Sequence, residues 1–561
     1  MSSGITRHFA TIALPGAPPR QVHYRKAGSG PPVLLLHQSP VSSAEYIHLM
    51  AEWAGDFTLI APDSPGFGLS DALPGDEPII EPYAQGIAAF LDAIGVQRCG
   101  VYGTHTGAMI AAEFARAFPQ RCEVLVLNGY VVATDAEKAD VMANYFVPLQ
   151  PNPEGSHMVW AWVRMRDQMI FYPWYRKTAQ TRMTFDIPGP DMLHPFTMDY
   201  FRSANAGLRA YKAAFTYDAI AGLRGMSAPC FALAFQQDVL FEHLDRIPKD
   251  IPKCITVEGH ATPPAVEARA RELFKAHCKA PVPGHTATAT IETRPWQSLA
   301  TTPAGQVFMR RSHMGAGRPL VLLHDAGKSS RQWTLLLQML HGRKPTLAFD
   351  LPGHGETGAT TGGYDVAAMA ASLQKALADI GTEDIDVMAV GAGCAVAASL
   401  AKLCHVKSLT LIDPWHVDAD LAARLKAGLA PELAANWYGG HLVHAWAAAR
   451  DAELFWPWFE PRHANRIQSQ PTLDPWAVHL NALDLLKAQP AQRAFVAGAV
   501  HMDLAKELAG IRGEITFAAL APGPLETATQ KLAARMNGAS VMALSDDPSR
   551  YAAALAALFR T

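Results

Sequence analysis

The 561-residue sequence has no uninterrupted apolar stretch of about 18 residues, which argues against a membrane-spanning helix. Its start, MSSGITRHFA, lacks the basic and apolar regions of a secretory signal, so a cytoplasmic protein is expected. Charge of one sign is missing too. Lysine and arginine number 48 against 51 acidic residues, a net charge of -3, which gives no electrostatic reason to expect nucleic acid or an anionic membrane as a partner. The seven cysteines are scattered and odd in number, and no Cys-X-X-Cys occurs. That pattern excludes a disulfide framework and a cysteine zinc site, leaving reduced thiols in the interior.

What is present is globular: 49% hydrophobic and 18% charged residues, in a chain too long for one core. Two domains are expected, and the sequence repeats itself accordingly. VLLLHQSPVSSAEY from Val33 reads like LVLLHDAGKSSRQW from Leu320, and LIAPDSPGFGLSD from Leu59 like LAFDLPGHGET from Leu347. His37 and His324 stand 287 apart, as do Pro65 and Pro352. Further on, His157, Trp162, Arg166, Asp167, Phe171, Pro173 and Trp174 recur 284 residues later as His441, Trp446, Arg450, Asp451, Phe455, Pro457 and Trp458. That many matches in register mark a duplication.

In the first half, strand-like runs (Val33–His37, Phe57–Ala61, Cys99–Gly103, Val124–Asn128, Cys230–Phe235, Cys254–Val257) alternate with amphipathic helical ones (Pro82–Ile94, Ala108–Phe118). This is the pattern of a mostly parallel sheet covered on both faces. The alternation breaks after Asn128 for a segment rich in Trp, Met, Tyr and Arg, which reads as a helical cap. The expected organisation is an α/β domain over 1–278 with a cap at 131–225, a Pro/Thr/Ala-rich linker at 279–305, and a second α/β domain over 306–561 with a cap at 415–505. Part of the linker is open to being the first strand of the second half.

The first half resembles the α/β-hydrolase superfamily over essentially its whole length. His37-Gln38-Ser39-Pro40 looks like the His-Gly-X-Pro oxyanion loop of the epoxide-hydrolase and dehalogenase branches, and Asp63 to Asp71 like the Asp-X-Pro-Gly-X-Gly-X-Ser-Asp loop. Gly103-Thr104-His105-Thr106-Gly107 occupies the nucleophile elbow, Asp238 the place of the acid, and Gly259-His260 that of the catalytic histidine. The resemblance implies two tandem domains of this fold, with catalytic roles for His105, Asp238 and His260. It also implies an oxyanion hole built from the Ser39 and Thr106 amides.

The departure is histidine where the nucleophilic serine usually stands. Three chemistries are open. His105 is a covalent nucleophile, with His260 as base and Asp238 orienting it; or it is a general acid or base in a lyase, isomerase or water-addition step; or catalysis is lost and the cleft only binds a ligand. Thr104 and Thr106 lie off the elbow tip, and metal ligation by two histidines and an acid conflicts with the family's Asp–His hydrogen bond. The expectation is therefore a small carbonyl-containing substrate with neither cofactor nor metal.

The second half has Gly391 at the elbow, Gly523 at the acid position and Ser545-Asp546 near the histidine position, so it is expected to be catalytically inert. His37, His157, Trp162, Arg166 and Trp174 are candidate substrate contacts. An inert copy that retains all of them favours a structural reading, in which the cap residues hold the cap or a pseudo-dimer contact within one chain; further oligomerisation is left open.

Overall fold

A computed structural model describes residues 4–282, 284, 291, 293–312, 317–536 and 539–559. The chain divides into two compact units. Met1–Gln150 with Trp160–Ile291 forms the first, and Pro151–Val159 with Glu292–Thr561 the second. The boundary falls within the stretch expected to be a linker, and a strand begins inside that stretch at Trp296.

The first unit holds β1 (Thr6–Ile12), β2 (Arg20–Ala27), β3 (Pro32–Leu36), β4 (Thr58–Pro62), β5 (Cys99–Thr104), β6 (Cys122–Asn128), β7 (Cys230–Phe235) and β8 (Ile255–His260). They form one 8-stranded sheet in the order β1-β2-β4-β3-β5-β6-β7-β8. β1–β2 and β2–β4 pair antiparallel, and the remaining neighbours pair parallel. β3 and β5 are buried at every position, the mark of central strands covered on both faces. Between β6 and β7 the cap contributes helices Asp135–Asn144, Ser156–Gln168, Pro190–Thr216 and Ala219–Arg224.

The second unit repeats this plan. β9 (Trp296–Thr302), β10 (Gly305–Ser312), β11 (Leu320–Leu323), β12 (Thr346–Phe349), β13 (Asp384–Val390), β14 (His405–Ile412), β15 (Glu514–Leu520) and β16 (Val541–Leu544) follow the order β9-β10-β12-β11-β13-β14-β15-β16. Its cap helices lie between β14 and β15. No helix among the described residues is long and apolar enough to cross a membrane.

The repeated side chains perform the same structural tasks in both halves of the duplication. His37 Nε2 accepts the Ser64 N–H at 2.8 Å, and His324 Nε2 accepts the Leu351 N–H at 2.9 Å, tying each oxyanion loop to the Pro-Gly loop. Trp174 donates its indole N–H to the Tyr145 carbonyl and Trp458 donates to the Leu429 carbonyl, both at 3.2 Å. His157 and His441 each accept a backbone N–H, from Asn152 and Asn436, at 3.4 Å. The lone bridge Phe171–Arg182 has its counterpart in Phe455–Arg466. These shared backbone hydrogen bonds give a physical reason for both copies to retain the residues.

Candidate functional site

β5 ends at Thr104, and the helix Thr106–Ala117 begins immediately after His105, whose backbone lies at φ 47°, ψ -109°. A non-glycine residue in that region is strained and is held by its surroundings. Here the His105 N–H donates to the Asn128 carbonyl at 2.9 Å. The flanking glycines are required by close approach. A Cβ on Gly103 would land on the Gly107 carbonyl, and one on Gly107 would land on the Leu36 carbonyl. The turn presents the imidazole at the carboxyl ends of the strands, at the mouth of a cavity of about 340 Å³.

His105 Nε2 lies 3.0 and 3.2 Å from the two carboxylate oxygens of Asp238. A carboxylate can only accept, so Nε2 carries the proton and Nδ1 is the remaining nitrogen. Burial lowers the His105 pKa, but the Asp238 carboxylate and the nearby Glu45 outweigh it, and the net shift is upward. Burial pushes Asp238 up, yet His105 and the Leu240 N–H (2.8 Å) bring it below its ordinary value. Each partner thus favours the other's charged form.

The pair needs room that only glycine leaves. Gly129 has φ +68°, and a Cβ there would strike the His105 ring and come within 3.2 Å of Asp238 Oδ2. Glu45 also lines the cavity, accepting the Gln38 backbone N–H at 3.1 Å and its side-chain N–H at 2.8 Å. Burial holds this carboxyl above its usual range. Neither Gly129 nor Glu45 is marked by a family motif. The useful sequence signal is internal: position 332, 287 residues after Glu45, is Gln332, whose Oε1 accepts the Asp325 N–H at 3.1 Å.

Ser39 and Thr106 are buried, and Ser39 lines the cavity beside His105. The remaining expected residues lie elsewhere. β8 runs on to His260, which sits in the ladder opposite Phe235, with Nε2 3.4 Å from Glu258 Oε2 and the ring outside the cavity lining. The strand extends past the expected end at Val257, so the Gly259-His260 pair lies in a sheet edge rather than a catalytic loop. The structure thus unites His105 with Asp238 without His260. His37, Trp162, Arg166 and Trp174 do not line the cavity either, and His157 falls in the segment counted with the second unit. The buried cap arginine is Arg164, whose guanidinium lies 4.9 Å from the Trp174 ring and donates to Gln168, a cavity-lining residue, at 2.6 Å.

The family models for the α/β-hydrolase fold and the α/β-hydrolase family match residues 31–153 and 320–557 respectively. The chain belongs to the α/β-hydrolase superfamily, with two such domains in tandem. Among its relatives, an uncharacterized protein of Mycobacterium bovis is 37% identical over 126 residues, 22% of this chain and 37% of that protein. The 2-hydroxy-6-oxo-6-phenylhexa-2,4-dienoate hydrolase of Burkholderia cepacia is 30% identical over 133 residues, 23% of this chain and 46% of the enzyme. Haloalkane dehalogenase 2 of Mycobacterium bovis is 34% identical over 108 residues, covering 19% and 38% of the two chains. The chain thus spans less than half the length of these relatives. A solved epoxide hydrolase from an endophytic Streptomyces aligns with 18% identity over 49% of this chain and 96% of its own, at a TM-score of 0.38.

The second α/β-hydrolase domain keeps the elbow backbone, with Gly391 at φ +58° and its N–H on the Ile412 carbonyl at 3.0 Å. Its oxyanion-loop position is filled from within. Asp325 Oδ1 accepts the N–H of Ala326 at 2.8 Å and of Ala392 at 2.7 Å. These amides correspond to those of Ser39 and Thr106, and Asp325 to Gln38. Gln38 instead turns to Glu45.

Proposed function

We propose that the first unit is an acid–base catalyst acting on a small carbonyl-containing substrate, with His105 moving the proton and Asp238 holding the ring. The observation that carries this reading is the His105 Nε2–Asp238 pair, which leaves Nδ1 as the working nitrogen. With Nε2 committed to Asp238, only Nδ1 is left to attack, and it lies beside the ring's own Cβ, so acyl transfer to His105 is disfavoured. The imidazolium donates a proton to a leaving group or carbanion, and the neutral ring then takes one back from water or substrate. The Ser39 and Thr106 amides would hold the developing oxyanion, as their counterparts hold the Asp325 oxygen; such donors typically contribute about 3–4 kcal/mol each. The oxo group in the name of the Burkholderia relative's substrate fits this class.

A panel of small esters and diketones tests the reading with wild-type protein, His105→Gln, Asp238→Asn and His260→Ala. Turnover that falls about 10²–10⁴-fold in the first two variants and is unaffected in the third is the expected result. A covalent adduct on His105, trapped with an activated ester and found by mass spectrometry, would sink the acid–base reading. Ligand binding without turnover is the second reading, favoured by the placement of His260 outside the cavity. It predicts a ligand whose affinity falls in His105→Gln while no panel member turns over.

A further inference from the structure

The second unit has a cavity of about 340 Å³ at the carboxyl ends of its strands, in the position of the first unit's site. It cannot receive a substrate oxygen as its twin would, because the Asp325 carboxylate occupies both amides. That arrangement reverses what the cavity offers. One Asp325 oxygen is committed to the amides, and a second carboxyl lines the same cavity. This is Asp413, 8% exposed, held at φ 46° after β14, with the Leu520 N–H on its oxygens at 3.3 and 3.5 Å as its one hydrogen-bond donor among the described residues.

The rest of the lining is largely apolar and includes several aromatic rings. Trp415, Trp456 and Trp458 line the cavity together with the two acids. Among the described residues, three buried polar atoms in the lining have no hydrogen-bond partner: the acceptor Gln492 Oε1, on a residue 2% exposed, and the indole N–H donors of Trp415 and Trp456. An acceptor left unmet at that depth costs stability, and Gln492 Oε1 is the one of the three that an incoming N–H can meet. Lys328 is the single basic residue in the lining, against Asp325, Asp413 and Glu453.

We propose that this cavity binds a small organic ammonium ion with an aromatic or aliphatic body. Its N–H groups would be received by Asp325, Asp413 and the Gln492 carbonyl, and its body held against the tryptophan faces, which attract cations. Burial raises Asp325 to about 6, with Lys328 only partly offsetting it, and burial with the Asp325 charge raises Asp413 to about 7, short of a counter-ion of its own. An ammonium supplies that counter-ion. The site requires no catalytic side chain and is independent of chemistry in the first unit.

Calorimetric titration of the full-length protein with benzylammonium, benzyl alcohol and benzoate tests the proposal. Benzylammonium is expected to bind, and the isosteric alcohol and the anion to bind at least about tenfold more weakly. Asp413→Asn and Asp325→Asn should each weaken benzylammonium about tenfold or more; the asparagine at 325 can still accept both amide protons, so the loop is retained. Equal binding of the alcohol, no binding of benzylammonium at millimolar concentration, or binding unchanged in both folded variants would overturn it.

Discussion

Asp238→Asn removes the charge from the His105 pair while leaving an oxygen to accept the Nε2 proton, so it isolates the electrostatic part of the interaction. His105 titrates above its ordinary value in the folded protein. Its contribution to stability is complete below about pH 6.5 and is lost as pH rises through the folded value. Asp238 titrates below its ordinary value, so its contribution is complete above about pH 3.9 and is lost as pH falls through the folded one. The pair therefore stabilises the first unit most between these limits. A hydrogen bond to a charged group contributes about 1.5–3 kcal/mol and a neutral one about 1. With Asp238 3% exposed and His105 27% exposed, the charge is worth about 1–2 kcal/mol here. For a unit of this size that corresponds to about 2–6 °C in the melting midpoint at pH 6. The assay is a histidine NMR titration of the full protein beside thermal melts at pH 6 and pH 9. The variant should lower the His105 pKa, and its melting deficit should shrink at the higher pH. A deficit equal at both values, or an unmoved His105 titration, would refute the ion pair as the organising interaction.

Gly129→Ala puts a methyl against the His105 ring at a positive φ; activity should fall with Asp238→Asn, and thermal melts should show a cost of at least about 1–2 kcal/mol. Glu45→Gln keeps the loop contact that Gln332 makes in the second unit but removes a charge that favours imidazolium; the His105 titration should move to lower pH while the melting midpoint holds. Trp174→Phe and Trp458→Phe each remove one indole-to-carbonyl hydrogen bond and should cost about 0.5–1.5 kcal/mol, with turnover of any first-unit substrate unaffected by the second.

Much of this architecture was legible in the chain. The apolar runs that became β3 and β5 and the 284- and 287-residue offsets fixed two sheets of one topology, because strand alternation and close-packed glycines are local signals. The order of motifs singled out both His105 and Asp238 but made Asp238 the partner of His260, whereas its carboxylate meets His105 instead. His260 was misplaced by a local ambiguity: Gly-His after a strand reads as a loop, whereas the ladder with β7 extends to His260 and leaves it beside Glu258. Glu45 and Gly129 escaped notice because their importance depends on what folds around them, which no spacing rule encodes.

The second unit shows a coupling that a position-by-position reading treats as separate losses. The elbow glycine and the aspartate of the oxyanion loop look like two independent decays, but a Cβ on Gly391 would land on the Asp325 carboxylate. The carboxylate can enter the amide pair only because the elbow has no side chain. In the first unit His105 carries a Cβ, and Gln38 turns away to Glu45. Gly391→Ala should therefore expel Asp325. The cost is about 1–2 kcal/mol for alanine in the left-handed region plus charged hydrogen bonds worth about 1.5–3 kcal/mol. Asp325→Ala alone forfeits those same bonds. The double variant loses them once, so its destabilisation should fall short of the sum by at least about 1 kcal/mol, measured by denaturant melts of all four proteins. Additive costs would mean that the carboxylate does not depend on the glycine, and that the two substitutions are unrelated after all.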